Sequence, residues 1–177
     1  MGIKTLFENK YYRVFLNNDI LRLHCLKPGA AVIPITEDKK IILLDIKRDT
    51  LNANTIEIVR GFSEDGESPE QTAKRELLEE TGYSCERLIS LGYVYPDTGL
   101  IINKVELFLG INAYKESDKI SYDEGISKLL FKNIEEVYQM AFNGIINDSF
   151  TICSLFRAIS YIDFINRWHV GNERYKS

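Results

Sequence analysis

The sequence predicts an α/β fold: several short strands around one sharply bounded helix, an antiparallel hairpin in front and two helices behind. Three observations carry this. Residues 10–26 alternate polar and apolar side chains, residues 30–35 and 41–46 are dense apolar runs, and residues 68–82 carry helix signals at both ends. Alternation with period two marks a half-buried strand, a short apolar run bounded by turn residues marks a buried strand, and paired caps mark a helix.

In chain order, Tyr12, Val14 and Leu16, then Ile20, Leu21 and Leu23, form the two arms of a hairpin. Asn17-Asn18-Asp19 between them supplies turn chemistry. Lys27-Pro28-Gly29 breaks the pattern. Ala30–Ile35 and Ile41–Ile46 then make a second, more deeply buried hairpin around Glu37-Asp38-Lys39-Lys40. The polar stretch Asp49–Thr55 reads as a loop, and Ile56–Val59 as a short strand leading into a glycine-rich segment. Beyond the capped helix, Leu88–Val94 and Val105–Ile111 read as strands separated by the loop Tyr95-Pro96-Asp97-Thr98-Gly99. Lys115–Gly125 is polar and acidic, and Ser127–Phe131 is a further short strand. Helices fit Ile134–Asn143, stopped by Gly144, and about 150–168, where Ile152, Leu155, Phe156, Ile159 and Ile162 recur at helical spacing and read as core.

The helix over 68–82 follows from local chemistry. Ser68 and Gln71 form a capping box, Pro69 occupies the first helical position where its missing N–H is harmless, and Gly82 suits a left-handed C-terminal cap. Ala73 and Leu77, four apart, mark the buried stripe. Glu76, Glu79 and Glu80 stand at i, i+3 and i+4 and share a face, and Arg75 can reach Glu79. Like charges this close disfavour one another by ~0.2–0.5 kcal/mol per pair. A hard divalent cation, which prefers oxygen ligands, would reverse that sign.

Gly61-x5-Glu67-x7-Arg75-Glu76-Leu77-x-Glu79-Glu80-x-Gly82-Tyr83 is similar to the Nudix box at every specified position. The resemblance implies an α/β/α sandwich around a mixed β-sheet, preceded here by the N-terminal antiparallel hairpin. It covers residues 30–135 strongly and the ends weakly. It implies a hydrolase of nucleoside diphosphates linked to another group, with Mg²⁺ as cofactor (Mn²⁺ can substitute). Glu76, Glu79, Glu80 and the backbone carbonyl of Arg60 or Gly61 are the implied metal ligands. Glu67 and Arg75 are implied supports of the site, and Gly61 and Gly82 shape its backbone. The implied general base is a glutamate on a later loop: Glu124, in Tyr122-Asp123-Glu124-Gly125, with Asp123 as the runner-up. How many metals bind stays open.

Substrate class rests on further resemblances. Glu57-Ile58-Val59-Arg60-Gly61 resembles the Glu-Leu-Pro-Ala-Gly lead-in to the box in ADP-ribose pyrophosphatases, with Val59 in place of the proline. The loop Tyr95–Gly99 resembles the proline-containing loop of that subfamily. Arg48, Glu57 and Arg60 are the implied substrate-binding residues. ADP-ribose or a related nucleoside diphosphate sugar is the leading substrate class. Nucleoside triphosphates, NADH or dinucleoside polyphosphates are the alternative enzyme reading, and a non-cleaving nucleotide sensor is the alternative of another class. Members of the subfamily are often homodimers built through N-terminal strands, an expectation carried here by residues 1–28, with 29–177 as the catalytic core of a single domain.

Composition adds boundaries. At 177 residues, 45% hydrophobic and 27% charged, the chain can bury a sizeable core. A net charge of −4 does not recommend a nucleic-acid or membrane-surface partner. No apolar run approaches the ~18 residues of a membrane span, and the first residues lack a signal-peptide pattern. Cys25, Cys85 and Cys153 are odd in number and widely separated, which suits free thiols in a reducing, cytoplasmic compartment. His24, on a strand-like run, reads as structural, and His169 is isolated.

Overall fold

The computed structural model describes residues 2–120 and 125–173, side chains from 163 onward excepted. Its centre is a seven-stranded mixed sheet. Strands β4 (Gly29–Thr36), β5 (Lys40–Arg48), β8 (Tyr83–Val94), β10 (Val105–Lys115) and β11 (Ile126–Asn133) run in the order β11-β5-β4-β10-β8. Two short strands, β6 (Ala53–Glu57) and β7 (Val59–Phe62), pair with β5 and β4. The β4–β10 pair is parallel, aligning Ala31 with Leu107 and Ile33 with Leu109; the other pairings in this sheet are antiparallel.

All of β4 is buried, because the sheet is covered on both faces. Its alternation splits the core in two. Ala31, Ile33 and Ile35 join Leu43, Leu107 and Leu109 on one face, against Val137, Phe150 and Leu155. Ala30 and Val32 join Leu44, Ile46 and Phe108 on the other, against Ala73 and Leu77. Helix α1 (Pro69–Thr81) thus covers one face, and α2 (Ile134–Phe142) and α3 (Ser149–Glu173) cover the other. Fully burying a side chain such as Leu77 contributes ~1.5–3 kcal/mol. This is the α/β/α arrangement that the box resemblance implies.

The ends of α1 follow its sequence signals. Ser68 accepts from Gln71 N–H while the Gln71 side chain accepts from Ser68 N–H, and Pro69 opens the helix. Gly82 closes it at φ 71°, its N–H donating to Leu78 O at 2.8 Å. A Cβ there would run into the Ser117 carbonyl, so only glycine fits both conformation and space.

The N-terminal hairpin forms as expected, β2 (Tyr12–Asn17) against β3 (Ile20–Cys25), with Asn18 and Asp19 both at positive φ in the turn. It belongs to a four-stranded sheet with β1 (Ile3–Glu8) outside and β9 (Ile101–Ile102) paired to β3 in parallel. Neither β1 nor β9 was expected from the sequence. The polar stretch read as a loop through Thr55 is also corrected, because β6 begins at Ala53. Its residues pair with β5 from Arg48 to Leu44, so backbone partners on the sheet edge overrule a polar side-chain pattern. Cys25, Cys85 and Cys153 are free and partly buried, and burial raises the pKa of Cys25 and Cys85. Among the described residues no helix is long and apolar enough to cross a membrane.

Candidate active site

The segment between β7 and α1 and the strands before it frame an open cleft of about 750 Å³. Arg48, Arg60, Gly61, Arg75 and Glu76 line it, joined by Tyr11 and Tyr12 from the N-terminal sheet and Phe150 from α3. Glu57, Glu67, Glu79 and Glu80 are not among its lining residues.

On the helix side, Arg75 organises the acidic groups. Its Nε and Nη2 donate to the two oxygens of Glu67 at 2.8 and 3.0 Å, and Nη2 also donates to Phe62 O. Nη1 donates to both Glu76 (2.9 Å) and Glu79 (3.0 Å). These bonds raise the Arg75 pKa, those with Glu67 first, against the opposing effect of burial. Glu67 is held at about 2 by Arg75 first, then by the Glu64 N–H, with burial opposing and Thr72 assisting.

The three helix carboxylates differ in burial. Glu76 is 7% and Glu80 3% exposed, while the Glu79 side chain is 49% exposed. Glu76 and Glu80 flank the Ala73–Leu77 stripe and are carried toward the sheet with it, whereas Glu79 turns further toward solvent. Gly61 is the counterpart of Glu76. A Cβ on Gly61 would overlap the Glu76 carboxylate, lying 2.7 Å from Oε2 and closer still to Oε1 and Cδ. The missing side chain is therefore what lets the carboxylate sit beneath the loop.

Among the described residues no three acidic, histidine or cysteine groups are gathered closely enough to hold one metal ion as they stand. Glu76 and Glu79 instead both meet the same Arg75 nitrogen. The donor chemistry nevertheless fits a hard cation: two nearly buried carboxylates and a third beside them, next to a glycine loop with its backbone carbonyls.

Across Gly61 lies a second charged cluster. Glu57, 2% exposed, receives Arg48 as a fork, Nε to Oε1 at 2.9 Å and Nη2 to Oε2 at 2.6 Å. Arg60 adds Nη2 to Oε2 at 2.8 Å, and Thr55 Oγ1 donates to Oε1 at 2.5 Å. Burial pushes the Glu57 pKa up, but the bonds from Arg48 and Thr55 and the charges of Arg60 and Arg48 outweigh it and hold the group at about 2. Glu57 lies beneath the cleft with its oxygens taken up; it fixes the two guanidiniums that do face the cleft. Arg60 also lies over the Phe150 ring at 5.0 Å and 3.9 Å from Asp148. Asp148 in turn accepts from Thr151 N–H and Oγ1, and Thr151 Oγ1 accepts from Ile58 N–H. The start of α3 is thereby tied to the strand carrying Arg60.

Glu124 and Asp123 lie outside the described residues. Gly125, which follows them, is fixed at φ 81° with its carbonyl accepting from Lys47 N–H at 2.9 Å, one residue from Arg48. The loop Tyr95–Gly99 does not line the cleft; Asp97 closes it by accepting from the Gly99 and Leu100 N–H groups. Sequence reasoning missed Tyr11, Tyr12, Phe62, Asp148 and Phe150. Phe62 packs against both tyrosines, at centroid distances of 6.0 and 5.7 Å. The adjacent tyrosines at the hairpin's start were the one available signal.

The family model of the NUDIX domain matches residues 26–143. The chain is 38% identical over 100 residues to an ADP-ribose pyrophosphatase of Bacillus subtilis, covering 55% of this chain and 54% of that protein. It thus spans about half the length of that relative. It is 34% identical over 130 residues to a methanol dehydrogenase activator of Bacillus methanolicus, covering 72% of this chain and 70% of the relative. In structure it is similar to a crystal structure described as an ADP compounds hydrolase, with a TM-score of 0.78, coverage of 94% and 95%, and 17% identity, a likeness of fold alone.

Proposed function

Because the chain belongs to the NUDIX family, we propose that it hydrolyses the pyrophosphate of ADP-ribose or a related nucleoside diphosphate sugar, giving a nucleoside monophosphate and a sugar phosphate with a divalent cation as cofactor. The observation that carries this is the cleft's division of charge: acidic groups organised around Arg75 on one side of Gly61, two guanidiniums fixed on Glu57 on the other. An anionic substrate with a diphosphate suits such a cleft. The similarity to a protein named ADP-ribose pyrophosphatase supports that substrate class.

Glu76, Glu79, Glu80 and the Arg60 carbonyl would hold Mg²⁺ or Mn²⁺. Bound there, the cation would neutralise phosphoryl charge and lower the pKa of an attacking water. Glu67 and Arg75 keep the carboxylates in place. Arg48 and Arg60 bind phosphate oxygens with their outward N–H groups, and Glu57 prevents their mutual repulsion. Tyr11, Tyr12 and Phe62 offer flat faces to a nucleobase. Glu124 takes the proton from the attacking water, the role that the family resemblance implies for a glutamate on a later loop. The complete carboxylate set favours an enzyme over a non-cleaving sensor.

Exposed apolar residues along the outer strand, Ile3, Leu6 and Phe7, support a homodimer through the N-terminal sheet. The deciding experiment is a product screen with Mg²⁺ or Mn²⁺ over ADP-ribose, other nucleotide sugars, NADH, dinucleoside polyphosphates and nucleoside triphosphates. AMP and ribose 5-phosphate from ADP-ribose are the expected products. Turnover of triphosphates alone would overturn the substrate class.

A further inference from the structure

Arg60 is held by more than Glu57, and the additional contacts come from the start of α3. A free arginine side chain samples many rotamers, and ordering it on a ligand costs affinity. Here the guanidinium is already confined from three sides. Glu57 accepts from Nε at 3.3 Å and from Nη2 at 2.8 Å, the Phe150 ring lies 5.0 Å from the guanidinium carbon, and Asp148 Oδ1 stands 3.9 Å from Nη2. Nη1 donates to no acceptor among the described residues, and Arg60 lines the cleft. Arg60 also stands where the similar lead-in to the box has alanine, so this side chain must be placed by residues of this chain's own.

Asp148 divides its two carboxylate oxygens between two tasks. Oδ2 accepts from Thr151 N–H at 2.8 Å and from Thr151 Oγ1 at 2.7 Å, and the Asp148 carbonyl accepts from Ile152 N–H, so the residue caps α3. Oδ1 is thereby turned to Arg60. The cap is itself fixed to the strand side: Thr151, fully buried, accepts from Ile58 N–H at 3.0 Å, two residues before Arg60. Capping alone requires one oxygen; the direction of the second, and the place of the Phe150 ring in the cleft wall, are accounted for by Arg60. We propose that Asp148 and Phe150 are positioning residues that set the direction of the Arg60 guanidinium, so that the start of α3 tunes how tightly the cleft holds a diphosphate. This role rests on reading the cleft as a diphosphate site.

The test is calorimetric titration of the full chain with ADP in excess chelator, each substitution being made both alone and together with Arg60→Ala. A side chain that only supports the fold changes affinity equally in the two backgrounds, whereas a positioning residue acts only where Arg60 is present. Phe150→Leu keeps an apolar side chain and removes the ring face. It should weaken ADP binding about threefold, the scale of one partly exposed cation–π contact, and have no effect once Arg60 is gone. Asp148→Asn keeps the cap, which asparagine serves as well, but removes a negative charge, and that loss favours an anion in either background. Against that common gain, the variant should bind ADP about threefold less tightly where Arg60 is present. Equal effects with and without Arg60 overturn the positioning role for the residue concerned and leave the cleft reading intact. The two substitutions disturb different contacts, so either keeps the test alive if the other fails to fold. Failure of the wild-type protein to bind ADP overturns the cleft reading, and the positioning role with it.

Discussion

Two charged clusters flank Gly61, and they are built with opposite proportions. On the α1 side, one guanidinium, Arg75, serves three carboxylates, Glu67, Glu76 and Glu79. On the strand side, one carboxylate, Glu57, serves two guanidiniums, Arg48 and Arg60. The first has acidity to spare and can accept a cation; the second has N–H donors to spare and can accept an anion. A diphosphate with its metal needs both. The clusters also differ in stability: Glu57 is sealed from water, so its pairings are little screened, while Glu79 shares its bond with solvent.

The acidic cluster is where the largest loss of activity should fall. Glu80→Gln removes one charge from a nearly buried carboxylate without changing its shape. Metal-dependent turnover should drop by ~10³, equivalent to ~4 kcal/mol of the barrier, while circular dichroism and melting stay close to wild type. Near-normal kcat in the folded variant would break the assignment of α1 as the metal platform.

The basic cluster should instead show itself in stability. Glu57→Gln leaves two guanidiniums facing each other without their shared anion, and urea unfolding should lose ~3 kcal/mol, the low end for breaking a buried pair because both arginines keep some solvent. The sign with pH follows from Glu57 being held at about 2 against an ordinary 4.5. Its contribution is fully present above pH 4.5 and is lost as pH falls toward 2. The gap between wild type and Glu57→Gln should therefore close over that window; a gap that stays constant to pH 2.5 would remove Glu57 as the source.

The two clusters were not equally legible in the sequence. Caps and a helical repeat are local signals, so α1, its buried stripe and the Arg75–Glu79 contact could all be read from residues 61–83. The partners of Arg60 could not. Asp148 and Phe150 come from the start of α3, and the bond that ties the two regions, Ile58 N–H to Thr151, spans 93 positions. No spacing rule links such residues; only the closure of the sandwich does. Strand β1 was missed for a related reason. All six of its residues are exposed, so no alternation between core and solvent is written into it. Even within α1, the face shared by Glu76, Glu79 and Glu80 was readable, but the burial that sets Glu76 and Glu80 apart was not, because it depends on the sheet underneath.

Gly61 lies where the clusters meet, and Gly61→Ala tests whether they work as one unit. The added methyl must displace the Glu76 carboxylate. A shift of about 1 Å in a catalytic group can reduce turnover ~10²-fold, so kcat should fall on that scale while Glu57-dependent stability is retained. If kcat survives, the close approach of Gly61 to Glu76 is packing and not alignment.

Arg60→Ala should have the smallest effect, and it separates the clusters most sharply. Arg48 still holds Glu57 by its fork, so the buried carboxylate remains paired and the fold should change little. What disappears is one outward-facing cation, its stack on Phe150 and its bond to Glu57. A charged hydrogen bond to a phosphate oxygen contributes ~1.5–3 kcal/mol, part of which Arg48 would take over, so KM for ADP-ribose should rise about tenfold with kcat nearly constant. A fall in kcat at constant KM would instead make Arg60 part of the transition-state machinery. The functional boundary would then lie on the strand side of Gly61, within the basic cluster itself.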